Sequence, residues 1–249
     1  MGSIESSIHN NIATITFFHP SSNSFPSILL QNLTDKINLL SKNDAVSIIV
    51  IKSTGTGAFC AGASFDELLS ITNYEEGNRF FSGFANVINA MRKCPKLIIG
   101  RIHGKAVGGG VGLAAACDYT FATNKSDVKL SEIAIGIGPF VIEPAVSRKI
   151  GKIAMSEMTL SPTVWKTSKW AFDKGLYSEI FDSVEELDNR LEDYANELAS
   201  YNYDALLEIK KVLWDGTNNW DSLLYERAAI SGRLALSDFT KNALEKFKK

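Results

Sequence analysis

The chain has 249 residues, 45% of them hydrophobic and 22% charged, with a formal net charge of −2. That is long enough to bury a sizeable core and too apolar for disorder. Basic and acidic residues are interspersed, which excludes the basic block of a nucleic-acid-binding surface, and no apolar run approaches membrane-spanning length.

Cys60, Cys94 and Cys117 lack metal-ligand or redox spacing and read as reduced thiols of a cytoplasmic protein. The opening MGSIESSIHN has neither a basic nor an apolar signal region, so no signal peptide is expected. Met1-Gly2-Ser3 with Ser6 is only weakly similar to a myristoylation signal and reads as an ordinary start.

In chain order, Ile4–Ile8 and Ile12–Phe18 alternate as two strands joined by an Asn10-Asn11 hairpin turn, and His19-Pro20 ends the second. A helical period follows over Phe25–Leu40, with Ile28, Leu29, Leu33, Ile37 and Leu40 on one face. Val46–Lys52 is near-continuously apolar, as in a sheet covered on both sides. The segment Ala58-Phe59-Cys60-Ala61-Gly62-Ala63-Ser64-Phe65 comes next, then a helix over Tyr74–Lys93 closed by Cys94-Pro95. Leu97-Ile98-Ile99 starts a buried strand, and Asp118–Phe121 another. Lys129-Leu130-Ser131 reads as a short strand reaching Glu132, before an apolar loop. Helical segments follow over Glu143–Ile150, Lys152–Leu160 and Val164–Lys174, with a last strand over Tyr177–Phe181. Ser183-x-x-Glu186 is a capping box that opens a wholly helical end: Val184–Ser200, Asp204–Trp214, Trp220–Ala235 and Asp238–Phe247. Alternating strands and helices define an α/β class, divided as a core over residues 1–182 and a helical region over 183–249 that serves assembly or covers the site.

The stretch from Leu97 to Asp118 organises the rest. A strand runs into Gly108-Gly109-Gly110 and Gly112, then restarts as a short helix, so several backbone N–H groups are left unpaired and aligned. Gly110-x-Gly112-x-x-Ala115 matches a dinucleotide fingerprint, with Glu132 further on, but two turns of helix before the next strand are too few for the crossover that fold needs.

The two glycine-bearing segments together resemble the crotonase (enoyl-CoA hydratase/isomerase) family, and the resemblance runs from about Ile12 to Trp214. It implies a spiral of β-β-α turns with a C-terminal helical appendage. It also implies a thioester oxygen held by the N–H groups of Ala63 and Gly109. Ala61, Gly62, Ser64, Phe65, Gly108, Pro139 and Phe140 are then expected around the acyl-CoA. No metal is expected, and no cofactor beyond the coenzyme A of the substrate.

Glu132 is the candidate acid/base. A lone Glu at a strand end is usually solvated, but an apolar loop beside it would raise its pKa toward neutrality, and Ser131-Glu132-Ile133 falls where the family carries a catalytic glutamate. The two-glutamate hydratases carry a second glutamate where this chain has Gly112. Either Glu132 makes both proton transfers or the reaction needs one base. Glu143 is a possible second acid, although it serves equally well as a charge at a helix start. The segment from Gly136 to Gly151 resembles that of bacterial methylglutaconyl-CoA hydratases, with Glu143 in place of a small residue. His9, His19 and His103 form no catalytic arrangement, and His103 reads as satisfying backbone.

The expected activity is therefore hydration of an α,β-unsaturated acyl-CoA. The alternatives are a Δ3-Δ2 enoyl-CoA isomerase and an inactive acyl-CoA-binding homologue. Apolar stripes (Leu206, Ile209, Val212, Leu213; then Leu223, Leu224, Ala228, Leu234) and the resemblance imply a homotrimer or hexamer.

Overall fold

A computed structural model describes residues 2–246. Met1, and Phe247 at the end of the last expected helix, lie outside the described residues.

The chain opens with an antiparallel hairpin, β1 (Ser3–His9) and β2 (Ile12–Phe18). Its turn is Asn10-Asn11, both at positive φ (48° and 63°), the conformation that two-residue hairpins need and Asn tolerates. Helix α1 (Ser27–Ser41) leads to β3 (Ile48–Ser53). A short helix α2 (Phe65–Ser70), α3 (Tyr74–Lys93), β4 (Leu97–Ile102) and β5 (Ala106–Val107) follow. Then come α4 (Gly109–Ala116), β6 (Tyr119–Thr123), β7 (Val128–Lys129) and a 3-10 turn over Glu132–Ile135. The rest is α5 (Glu143–Thr159), α6 (Ser168–Asp173), β8 (Glu179–Phe181), α7 (Val184–Ala199), α8 (Tyr203–Leu213), α9 (Trp220–Ala235) and α10 (Asp238–Lys246). No helix among the described residues is long and apolar enough to cross a membrane.

The main sheet runs β1-β2-β3-β4-β6-β8, parallel after the first pair, and β5 and β7 form a separate parallel pair. Ile49, Ile51, Ile98 and Ile102 on one sheet face pack with α1, α3, α4 and α5 in the largest core cluster. Ile48, Val50, Leu97, Ile99 and Phe121 on the other face meet Leu187 and Ala195 of α7 and Leu206 of α8. That two-sided burial is why these strands read as continuous apolar runs.

Asp118 ties the C-terminal helices to this core. Its carboxylate accepts from Ile98 N (2.7 Å), Lys210 Nζ (2.6 Å) and Trp214 Nε1 (2.6 Å). Both side chains of the Lys210–Asp118 pair are buried. On the site side, α9 crosses α3 where Gly77 and Gly232 let the two backbones touch.

Several expectations are corrected. Ile28 is 64% exposed and Leu30 takes its place on the buried face of α1, because the buried arc runs from Leu29 round to Thr34 and leaves Ile28 outside it. Residues 164–167 are not helical: Lys166 bridges to Val128, and Thr167 caps α6 by accepting from Trp170 N (3.1 Å). The last strand omits Tyr177, whose hydroxyl donates to Ser126 O (2.8 Å) in the core. By contrast, the two helical segments expected on either side of Gly151 are present, because α5 is interrupted there by a non-helical residue (φ +74°, ψ 163°). His103 does not satisfy backbone: it is buried, and neither ring nitrogen has a hydrogen-bond partner among the described residues. Burial pushes its pKa down to about 4, so it is neutral.

Candidate active site

A cavity of about 500 Å³ opens beside the glycine-bearing segments. Its floor is built by two chain segments running side by side. Cys60 bridges to Ala106, and Val107 N–H donates to Cys60 O (2.9 Å), which brings residues 61–63 against residues 107–109. Gly62 (φ +86°) closes the contact, since a Cβ there would lie 2.8 Å from Val107 O.

The two expected donors sit at the ends of these segments. Phe25 N–H donates to Gly62 O (2.7 Å) and Ser64 N–H donates to Phe25 O (2.9 Å). That ladder engages both neighbours of Ala63 and leaves the Ala63 N–H pointing away. Gly109 is the first residue of α4, so its N–H has no acceptor within the helix. Neither group donates to another backbone group among the described residues. Ala63 and Gly109 both line the cavity.

Glu132 lines the same cavity. It begins the 3-10 turn, which Gly136 ends in a left-handed conformation (φ +81°). The residue is partly exposed and lines the cavity, yet its Oε2 is buried and has no hydrogen-bond partner among the described residues. Burial is the main influence on the carboxyl; backbone hydrogen bonds from Glu132 and Ser131 oppose it only in part, and its pKa is pushed up to about 7. The group can therefore give and take a proton near neutrality. Gly108, at φ +52°, makes room for it: a Cβ there would lie 2.7 Å from Glu132 Oε1. The carboxylate thus lies against the residue that precedes the Gly109 donor.

Of the other expected site residues, Ala61, Gly62, Phe65, Gly108, Pro139 and Phe140 line the cavity. Ser64 does not; its hydroxyl caps α2 by accepting from Glu67 N (3.4 Å). Glu143 is also absent from the lining. It accepts from Ser147 Oγ (2.6 Å) and pairs with Lys152, with Arg227 4.0 Å away. Burial alone would raise the Glu143 carboxyl, but the hydrogen bonds from Lys152 and Ser147 outweigh it and hold the group below its ordinary value. Such a carboxylate is a poor proton donor. The place of a second glutamate is closed as well, since a Cβ on Gly112 would lie 2.3 Å from Ile142 Cγ2.

Sequence reasoning missed Lys129, Ile142, Thr163 and Ser231, all of which line the cavity. Ser231 lies on α9 and Thr163 in the loop after α5, and no local pattern links either to Glu132. Among the described residues no group of three His, Cys, Asp or Glu is placed to hold a metal ion.

A spiral of β-β-α turns with paired backbone donors and a buried carboxylate defines the crotonase class. The crystal structure of an enoyl-CoA hydratase from Bacillus halodurans has this fold, with TM-score 0.90 over 98% of this chain and 99% of that one, at 22% identity. The enoyl-CoA hydratase/isomerase family profile matches residues 7–235, and this chain belongs to that family.

Among curated relatives, the peroxisomal Delta(3,5)-Delta(2,4)-dienoyl-CoA isomerase of Arabidopsis thaliana is 29% identical over 71% of this chain and 67% of its own length. The mitochondrial methylglutaconyl-CoA hydratase of Homo sapiens is 32% identical over 67% of this chain, which spans 49% of that protein.

Proposed function

We propose that this protein hydrates an α,β-unsaturated acyl-CoA, with Glu132 making both proton transfers. Glu132 takes a proton from water as the water oxygen bonds to the β-carbon. The displaced electron pair moves onto the thioester oxygen, and the resulting enolate is held by the N–H groups of Ala63 and Gly109, each worth about 3 kcal/mol in the transition state. The protonated Glu132 then returns its proton to the α-carbon on the same face, regenerating the carboxylate. No group beyond the substrate's own coenzyme A is required.

The observation that carries this reading is the unpartnered Glu132 Oε2, buried in the cavity that Ala63 and Gly109 also line. Hydration is further supported by the likeness to a methylglutaconyl-CoA hydratase. The same unpaired carboxylate speaks against a protein that only binds acyl-CoA.

A second reading is isomerisation, in which Glu132 removes an α-proton from a β,γ-enoyl-CoA and returns it at the γ-carbon. The closure of Gly112 by Ile142 favours it, since Glu132 is the one carboxylate among the described residues that line the cavity. Mass and NMR analysis of products from 2-enoyl- and 3-enoyl-CoA separates the two. A hydroxyacyl-CoA supports hydration, and a shifted double bond without hydration overturns it.

We also propose a trimer or a pair of trimers. Ile153 (88% exposed), Val212 (74%) and Leu160 (72%) leave apolar surface on α5, α8 and the end of α5 uncovered. Sedimentation as a monomer at micromolar concentration with full turnover would overturn this.

A further inference from the structure

Ser231 of α9 is 1% exposed and lines the cavity, and its hydroxyl makes no hydrogen bond to any described residue. By contrast, Thr34, Thr120 and Ser168, buried elsewhere in the fold, donate to Leu30 O, Leu176 O and Asn124 O. A hydroxyl left unmet in an apolar wall is unfavourable until something entering the cavity meets it.

The place of Ser231 selects which part of a ligand arrives there. Helix α9 runs antiparallel along α3: Gly232 touches Gly77, and Asn89 Nδ2 donates to Trp220 O further down the pair. Ser231 therefore stands near Asn78, whereas Phe84, six residues on in α3, lies against Gly109. Six residues of helix span roughly 9 Å at ~1.5 Å each, so the hydroxyl is well removed from the thioester. Ala235, one turn beyond Ser231, packs in an apolar cluster with Leu68, Ile71, Phe80, Ile137 and Leu244. Leu68 and Ile137 also line the cavity, so this cluster closes the end at which Ser231 sits. The pantetheine arm of the coenzyme must reach solvent and leaves the other way. It is the acyl tail that points to Ser231.

This end carries no counter-charge for an anion. Helices α2, α3 and α9 contribute no cation to the described lining, and Lys129 stands opposite Val107 in the β5–β7 pair. A carboxylate beside Ser231 would be desolvated and unpaired, which leaves a neutral oxygen as the matching group.

We propose that Ser231 is a specificity residue, whose hydroxyl hydrogen-bonds a neutral hydroxyl or carbonyl oxygen on the distal part of the acyl chain. The preferred substrates are then enoyl-CoA esters with an oxygenated tail, over plain hydrocarbon or dicarboxylic ones. This rests on the acyl-CoA reading above and narrows its substrate class.

Saturated esters separate recognition from turnover. Calorimetric titration compares hexanoyl- and octanoyl-CoA with their ω-hydroxy counterparts, and with adipyl-CoA, whose chain ends in a carboxylate. Wild type is expected to bind the better-fitting ω-hydroxy ester about tenfold more tightly than its hydrocarbon partner, because a plain tail leaves Ser231 unmet. Ser231→Ala suits a helix interior, and in it the preference should fall to about twofold or less. Equal affinity of wild type for the hydroxylated and plain esters of both lengths overturns the proposal. So does a preference that survives in Ser231→Ala, or tighter binding of adipyl-CoA than of the ω-hydroxy esters. A loss in Ser231→Ala that is equal for every ester overturns it as well, since that places the hydroxyl on the pantetheine arm. Failure of wild type to bind any of these esters overturns the acyl-CoA reading and this inference with it. An ω-hydroxy preference in a protein that hydrates no enoyl-CoA would refute hydration and leave the role of Ser231 standing.

Discussion

Asp118 and Glu132 are both carboxylates carried deep into this fold, and their surroundings are opposite. Asp118 accepts from a backbone N–H, an ammonium and an indole, so its charge is met on every side. Glu132 keeps one oxygen buried and unpartnered, against a glycine and beside an apolar loop. A satisfied buried charge holds elements together, here α8 and Trp214 against β4 and β6. An unsatisfied one stores a proton affinity that can be used on a substrate. That difference, independent of any relative, is what supports Glu132 and not Asp118 as the proposed acid/base.

The largest expected effect breaks the comparison at its chemical end. Glu132→Gln keeps the shape and removes proton transfer, so kcat should fall at least ~100-fold while acyl-CoA affinity stays near wild type. Steady-state kinetics and titration with a saturated ester check both halves; undiminished turnover would move the chemistry elsewhere.

The structural end should break in stability. Asp118→Ala leaves the Lys210 ammonium buried without its partner, a loss of about 3–5 kcal/mol. Urea denaturation measures it, and a loss under about 1 kcal/mol would show that water reaches the pair.

A smaller effect sharpens the contrast through pH. The Glu132 pKa is raised to about 7 in the fold, above the value for an exposed carboxyl. The folded state therefore holds a proton that the unfolded state releases, and stability falls as pH rises from about 4.5 to 7. A tenfold difference in proton affinity between the two states is worth about 1.4 kcal/mol, so Glu132→Gln should be more stable than wild type by about 3–4 kcal/mol at pH 8 and nearly equal to it at pH 4. Equal stability at both pH values would mean that Glu132 is solvated. Turnover by the basic form should rise across the same pH range.

Ser64→Ala is expected to have the smallest effect, about 1 kcal/mol of stability from the lost cap on α2. Thermal unfolding reads it. A large change in acyl-CoA affinity instead would return Ser64 to the binding surface.

Much of this molecule is legible in its sequence because its signals are local. The Asn10-Asn11 hairpin, the continuous apolar strands and the boundaries of α3 and α9 follow from turn chemistry and periodicity over neighbouring residues. The glycine triplet likewise announces a helix start with free N–H groups. Errors occur where distant chain decides. Whether residues 164–167 coil or extend depends on pairing with Val128, and the exposure of Ile28 depends on how α1 is seated.

The same division holds at the site. By itself the sequence determined that Glu132 is present, that a second glutamate at position 112 is not, and that Ala63 and Gly109 follow glycine-bearing segments. Only the tertiary structure decided that Ile142 fills the space beside Gly112, that Glu143 is held ionised by Lys152 and Ser147, and that Lys129 lines the cavity without an ion-pair partner among the described residues. Residue identity fixes what a side chain can donate or accept. Whether a charge is desolvated, paired or left open depends on atoms brought from elsewhere in the chain, and these a linear reading does not place.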